Sequence, residues 1–323
     1  MFEVKVLGTG RYVPENIVTN NDLSKIVDTS DEWIRSRTGI SERRISKGEN
    51  TSKLAAKAGR KALESSKLKP EDIELIIVST ATPDNFTPST ACMVQEKLGA
   101  VNATCFDISA ACTGFIYAVG IASQFIKTGQ SKNALVIGAE VLSKIIDWED
   151  RSTCVLFGDG AGAVVLERSE EIGLISQYTG SDGSGGKFLE CGTVPLKNPY
   201  SKTDMDFKRN LSMEGREVFK FAVNAMINCI DEVLKDTQYT LDDIDYVIPH
   251  QANLRIIDFV AKKLKLDKDK FYINLDRYGN TSGASIPIAL DEMNEKGLLK
   301  KGDKIIIVGF GGGLTFGAHL IKW

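Results

Sequence analysis

Two stretches of the chain carry the same pattern of apolar and polar positions. Residues 51–79 read TSKLAAKAGRKALESSKLKPEDIELIIVS, and residues 222–250 read AVNAMINCIDEVLKDTQYTLDDIDYVIPH, at an offset of 171. Leu54, Ala58 and Ala62 fall on Ala225, Cys229 and Val233, and Ala55 and Leu63 fall on Met226 and Leu234. Spacing at i, i+4 and i+8 is the stripe of an amphipathic helix. The acidic turns at Asp72 and Asp243 each feed a short apolar run, the mark of a strand buried on both faces.

The same offset lays ALVIG, from Ala134, on IIIVG, from Ile305. Between them each half shows a strand and then a helix. ATCFDI from Ala103 precedes CTGFIYAVGIASQFIKTG, and FYINL from Phe271 to Leu275 precedes SGASIPIALDEMNEKG. Glycine-rich hairpins follow at Phe157 (FGDGAGAVVLE) and Phe310 (FGGGLTFGAHLI). Matching those phenylalanines gives the first half 18 extra residues after its ALVIG strand. Strands alternating with helices predict an α/β fold of mostly parallel sheets covered by helices. The pattern divides the chain into similar halves, 1–175 and 176–323, with the Gly/Ser-rich residues 180–188 as a flexible joint. Two such halves pack about a pseudo-twofold axis, and a site is expected where strand ends meet.

Composition adds limits. Of 323 residues, 42% are hydrophobic and 26% charged, as in an ordinary globular protein. Forty basic against 43 acidic residues leave a net charge of −3, so bulk attraction to nucleic acid is not expected. No run approaches the roughly 18 apolar residues of a membrane span. The opening MFEVKVLGTGRYVPEN reads as strand and turn rather than a signal peptide, so a cytoplasmic location is expected. Six cysteines, none in a C-x-x-C pair, and two histidines do not make a structural zinc site.

Three residues stand out for chemistry. Cys112, in FDISAACTGF, follows a strand and opens a helix among small residues, like a nucleophile elbow without the G-x-S-x-G sequence. The helix N-terminus is expected to lower its pKa. A buried core cysteine is the equally weighted alternative. His250 ends the strand YVIP and suits a base or an oxyanion donor; capping the next helix is the other reading. His319, in the last apolar strand, reads as structural. Asn280, in YGNTSGAS, falls beside the mirrored elbow because Gly283 lies opposite Cys112; a turn residue is the plainer reading. Gly158–Ala163 fits G-x-G-x-x-A, but the VVLER that follows is a strand, which argues against dinucleotide binding. Gly311, Gly312 and Gly313 could offer backbone N–H donors to an oxyanion, or simply turn the chain.

Taken together, GTGRYVPENIVTN, DEWIRSRTGI, DISAACTGF, FGDGAGA, PHQANLRI, GNTSGAS and GFGGG resemble the β-ketoacyl-acyl carrier protein synthase III family of the thiolase superfamily, over nearly the whole chain. The resemblance implies a duplicated thiolase-like fold, two similar mixed sheets and helices in five αβαβα layers. It implies a triad of Cys112, His250 and Asn280, with the backbone N–H groups of Cys112 and Gly312 as an oxyanion hole. The implied reaction is a decarboxylating condensation of an acyl-CoA primer, carried on Cys112, with malonyl-acyl carrier protein at the start of type II fatty-acid synthesis. Priming of quinolone or polyketide synthesis by the same fold, and a non-catalytic homologue, remain alternatives. Trp33, Arg37, Arg151, Gly215, Phe219 and Asn253 match a coenzyme A site, with Trp33 placed to stack on adenine. Lys220, Arg255, Lys262 and Lys263 match a face that docks acidic carrier protein, although Asp258 on the same helix fits a solvated charged face equally well. The family's primer pocket takes a loop from a partner subunit, here TPDNFTPST, with Phe86 and with Thr87 where some relatives have phenylalanine. No cofactor or metal is expected, acyl-CoA being a substrate, and the assembly expected is a homodimer.

Overall fold

The repeated pattern folds into two sheets that share a layer of helices. A computed structural model describes residues 2–201 and 209–323. The first half runs β1 (Glu3–Tyr12), α1 (Thr51–Ser66), β2 (Leu75–Ser79), α2 (Thr90–Leu98), β3 (Thr104–Ile108), α3 (Gly114–Lys127), β4 (Asn133–Glu140) and β5 (Gly160–Ser169). Its sheet has the order β1-β5-β4-β2-β3. Strands β2, β3 and β4 are parallel, and β5 is antiparallel to both its neighbours. The second half runs β6 (Leu174–Ser181), α4 (Gly215–Lys235), β7 (Tyr246–Pro249), α5 (Leu254–Leu264), α6 (Ser285–Glu295), β8 (Lys304–Gly311) and β9 (Thr315–Lys322), with sheet order β7-β8-β9-β6.

The two halves also agree in strand register. Ile76 lies opposite Leu135 in the first sheet, and Val247 lies opposite Ile306 in the second, both shifted by the same 171 residues. Helices α1 and α2 cover the outer face of the first sheet, and α4 covers that of the second, with α5 packed on α4. Helices α3 and α6 lie between the sheets and touch both. This is the five-layer arrangement. Every residue of β4 is buried, as a strand covered on both faces requires. Helix α3 is apolar nearly all round because it faces a sheet on either side.

Three expectations change. Phe271–Leu275 does not form a strand: Phe271 makes one bridge to Val247, and Leu275–Tyr278 is a helical turn. The Gln251 side chain replaces the missing ladder, donating to the Pro249 and Tyr272 carbonyls and accepting from the Asn274 N–H. The two phenylalanines of the hairpins are not equivalent. Phe310 lies within β8, whereas Phe157 lies in the connection between β4 and β5. That connection spans residues 141–159, against 312–314 in the second half, so the excess is smaller than the phenylalanines implied. The chain leaves the first sheet after Ser169 and enters the second at Leu174. The crossing is therefore at 170–173, and residues 180–188 instead complete β6 and form the 3-10 turn Gly183–Phe188.

Candidate active site

Each half ends its central strand–helix connection in a sharp elbow, and the two elbows pack against each other. In the first, Ala111 adopts φ +45° immediately before Cys112, and the 3-10 turn Ala111–Thr113 leads into α3. In the second, Ser282 adopts φ +49°, and the turn Ser282–Ala284 leads into α6. Ala111 and Ser282 are 171 residues apart, so the duplicated pattern repeats even this left-handed backbone. Such conformations are uncommon without glycine and persist where the surroundings hold them.

Cys112 is 8% exposed and lines a cavity of about 1030 Å³. Ser109–Ala111, Leu142, Phe157, Leu189, Ser282 and Gly312 share its wall. Burial pushes the thiol up to about 12, although a hydrogen bond with the Ser282 side chain pulls the other way. Desolvation therefore opposes the lowering expected from the helix terminus.

His250 follows β7 and is 1% exposed. Its Nδ1 lies 2.7 Å from Ser285 Oγ in the first turn of α6. The Gln251 N–H donates to the same oxygen, at 3.4 Å. Ring and hydroxyl thus share one hydrogen bond, which fixes the orientation of the imidazole. Burial lowers the imidazole to about 3, which keeps it neutral. At the end of β8, Gly309 lies beside His250 and Gly311 beside Cys112, with the Phe310 ring edge-on to the imidazole at 5.3 Å. A Cβ on Gly309 would lie 3.4 Å from that of His250, and one on Gly311 would lie 2.7 Å from the Cys112 nitrogen. A side chain at Gly311 would therefore displace the nucleophile's backbone.

Asn280 is 7% exposed and sits just before the second elbow. The Ser282 N–H donates to its Oδ1 at 2.8 Å, while its own N–H and C=O bond Leu156 and Gly158. That contact fixes the amide orientation and leaves the Nδ2 donors for another partner. Ser282 thus lies where the two elbows meet, sharing the cavity wall with Cys112 and holding Asn280 through its backbone N–H. His250 and Asn280 are not part of the cavity wall.

The other predicted residues form two groups. The Arg37 and Arg151 guanidinium carbons lie 5.1 and 5.3 Å from the Trp33 ring centre, and Arg151 also donates to the Asp28 carbonyl. Asn253 caps α5 through the Arg255 N–H and donates to the Arg37 carbonyl, tying helix Asp31–Thr38 to α5. Gly215 opens α4, and Phe219 on that helix packs edge-on against Phe259 of α5 at 6.1 Å. Lys220 of α4 and Arg255, Lys262 and Lys263 of α5 lie on these two packed helices. Lys268 pairs with Asp258 at 2.6 Å, which offsets the acidic residue on that face. Thr87 and Phe86 line the far part of the Cys112 cavity, where Phe86 is 78% exposed. Gly158–Ala163 leads into β5, as expected of a non-nucleotide turn. His319 bonds the Ile116 carbonyl and plays a structural part.

Sequence reading missed Glu140 and Ser282. Glu140 ends β4, is fully buried, and accepts hydrogen bonds from Ala81 N–H and from the Thr80, Thr82 and Ser282 hydroxyls. Burial raises its carboxyl to about 7. The repeat itself held the signal. Under the 171 offset, Glu140 falls on Gly311, Cys112 on Gly283, His250 on Ser79 and Asn280 on Ser109. At each pair one half carries a reactive group and the other a small residue. Among the described residues, no group of three or more His, Cys, Asp or Glu side chains is placed to hold a metal ion.

Comparison with known proteins places the chain. Residues 106–183 match the family described as 3-oxoacyl-[acyl-carrier-protein (ACP)] synthase III, and residues 234–323 match its C-terminal counterpart. Beta-ketoacyl-[acyl-carrier-protein] synthase III of Clostridium novyi (strain NT) is 71% identical over the full length of both chains. The crystal structure of 3-oxoacyl-[acyl-carrier-protein] synthase III from Aquifex aeolicus VF5 superposes with a TM-score of 0.93 at 50% identity, covering 99% of this chain and 100% of that one. The priming beta-ketosynthase from the R1128 polyketide biosynthetic pathway gives the same TM-score at 35% identity, covering 99% and 96%.

Proposed function

We propose that Cys112, His250 and Asn280 divide the reaction between them, from the premise that the chain belongs to the β-ketoacyl-[acyl-carrier-protein] synthase III family. It is an acyltransferase that condenses an acyl-CoA primer with malonyl-acyl carrier protein. The products are 3-oxoacyl-acyl carrier protein, CoA and CO2, and the reaction starts fatty-acid synthesis. Cys112 takes the acyl group as a thioester. The backbone N–H groups of Cys112 and Gly312 receive the oxyanion formed in that attack. His250 Nε2–H and Asn280 Nδ2–H hold the malonyl thioester carbonyl and stabilise the enolate left when CO2 departs. Two neutral donors favour charge that develops only in the transition state. A covalent intermediate splits the condensation into two easier steps.

The observation that supports this most is the packing of the two elbows, which puts Ser282, the donor to the Asn280 amide, in the cavity wall with Cys112. Intact-mass analysis after incubation with acyl-CoAs tests the reading. A stable adduct on Cys112 is expected, and its mass identifies the primer. Trapping on another cysteine would overturn the assignment.

Coenzyme A enters past Trp33, with adenine on the indole and Arg37 and Arg151 beside it; Asn253, Gly215 and Phe219 border the pantetheine path. Carrier protein docks on Lys220, Arg255, Lys262 and Lys263. Arg255→Glu should weaken use of malonyl-acyl carrier protein far more than acyl transfer from CoA, because reversing a rim charge acts mainly on association rate. Steady-state kinetics of each half-reaction check this, and equal losses would assign Arg255 to the fold.

The chain works as a homodimer in the cytoplasm, and its two halves derive from one duplicated unit. The loop with Phe86 and Thr87 bounds the primer pocket. Thr87→Phe is expected to shift kcat/KM toward acetyl-CoA and away from branched or longer primers. Unchanged relative values would remove Thr87 from the pocket.

A further inference from the structure

The strand that leads to His250, β7, lies at the edge of its sheet. Beside it, Phe271 makes one bridge to Val247, and three buried side chains do the rest. Gln251 Nε2 donates to the Pro249 carbonyl at 2.8 Å and to the Tyr272 carbonyl at 3.0 Å, and its Oε1 accepts the Asn274 N–H at 3.0 Å. Two carbonyls and one N–H admit a single orientation of the amide. Asn274 Nδ2 donates to Glu292 Oε2 at 2.9 Å. Glu292 Oε1 pairs with Arg277 at 2.6 Å and with Lys296 at 2.8 Å. Gln251, Asn274 and Glu292 are each 1% exposed. The network grips the peptide group that joins Pro249 to His250. Gln251 holds its oxygen, and the Val308 carbonyl accepts its N–H at 2.8 Å. The ring is held separately, by Ser285 at Nδ1. Ser285 and Glu292 lie on one face of α6, two turns apart, so this helix holds the histidine at both ring and backbone.

We propose that Gln251, backed by Asn274 and Glu292, is a positioning residue for decarboxylation: it fixes the peptide group that carries His250, and with it the reach of the imidazole to the malonyl thioester carbonyl. The proposal rests on His250 being a donor to the enolate. Gln251 acts through His250 and touches no reacting atom. The described wall of the Cys112 cavity consists of other residues, so acylation should not depend on this network.

The first half of the chain shows that the fold itself does not need these side chains. Under the 171 offset, Gln251, Asn274 and Glu292 fall on Thr80, Ala103 and Ile121. There β2 and β3 pair through a full parallel ladder, from Leu75 with Thr104 to Ser79 with Ile108. The network stands in the half whose strand ends in a histidine; the other half has Ser79 at that place. A buried carboxylate is also a weak source of stability, because the cost of taking it and its cations out of water offsets much of their attraction. A donor aimed at an enolate gains far more from a fixed position, since a displacement of about 1 Å costs about 10²-fold in rate.

Gln251→Met keeps the volume and removes all three hydrogen bonds. Its kcat for decarboxylation of malonyl thioester should fall about 10–10²-fold, with KM little changed. Acylation of Cys112, followed by rapid quench and intact mass, should stay within about threefold of wild type. A double variant separates positioning from folding. Once His250→Ala is present, Gln251→Met should slow decarboxylation by no more than about a further threefold, because no imidazole is left to place. Gln251→Met leaves buried backbone groups unpaired, so Asn274→Ala supplies a gentler cut. It breaks the link to Glu292, keeps the backbone N–H on Gln251, and should show a smaller loss of the same selective kind. Losses that multiply in the double variant would make Gln251 a residue of the fold and overturn the proposal. Parallel loss of both half-reactions, or wild-type decarboxylation in Gln251→Met beside a slow His250→Ala, would overturn it as well. Wild-type decarboxylation in His250→Ala would overturn the role of His250 itself, and the proposal with it.

Discussion

Cys112→Ala is expected to abolish acyl-enzyme formation and still leave decarboxylation of malonyl thioester. Of the residues that share its cavity, Ala110, Ala111, Phe157 and Gly312 are inert and a serine hydroxyl is a weaker nucleophile than a thiol; Cys191, which also lines it, follows the short strand Leu189–Glu190 rather than an elbow. Burial disfavours the thiolate, so the native sulfur depends on losing its proton during attack. Alanine removes the sulfur altogether, and no change of pH restores it. The donors for the enolate are anchored independently. Asn280 is held by the Ser282 N–H and His250 by the Ser285 hydroxyl, both on the second elbow and its helix. Radiolabelled acyl-CoA reports the first step, and CO2 release from labelled malonyl thioester reports the second. If Cys112→Ala still forms a covalent acyl adduct, the nucleophile is elsewhere. If it loses decarboxylation completely, the two halves of the site are not separable.

Much of this was legible before any coordinates. The Leu54–Ala58–Ala62 stripe, the strands at Leu75 and Tyr246 and the common offset follow from periodicity, because buried helices and strands must repeat their apolar positions to pack. The elbow at Cys112 was legible too, since a strand running into small residues and a helix leaves few other paths. The strand expected at Phe271 failed because a side chain, Gln251, took over hydrogen bonds that periodicity assigns to backbone. The desolvation of Cys112 was hidden for a related reason. A helix terminus is a local feature, readable from neighbours in sequence, whereas desolvation depends on the second sheet and α6 closing over the turn. Glu140 escaped notice because its partners come from Thr80–Thr82 and from Ser282, 142 residues away. Its signal lay in the mismatch with Gly311, and reading the repeat for differences as well as likenesses would have found it.

Asn280→Ala should leave acylation of Cys112 nearly intact and slow decarboxylation by about 10²–10³, the usual effect of removing one oxyanion donor. The amide does two jobs in this structure. Its Oδ1 accepts the buried Ser282 N–H, and its Nδ2 is the donor offered to the enolate oxygen. Alanine removes both, and leaving the Ser282 N–H without an acceptor costs about 1–3 kcal/mol of stability. Asn280→Asp separates the two. It keeps an oxygen for Ser282 but exchanges the donor for negative charge where the enolate builds up, so decarboxylation should fall at least as far while thermal stability recovers. His250→Ala should resemble Asn280→Ala in the second step, since a neutral imidazole with its proton on Nε2 is the paired donor. It should also slow acylation only if His250 receives the thiol proton. Measuring both half-reactions in these three variants therefore tests the assignment from two sides. Wild-type decarboxylation in Asn280→Ala would return Asn280 to the role of a turn residue, whose one function is to accept the Ser282 N–H.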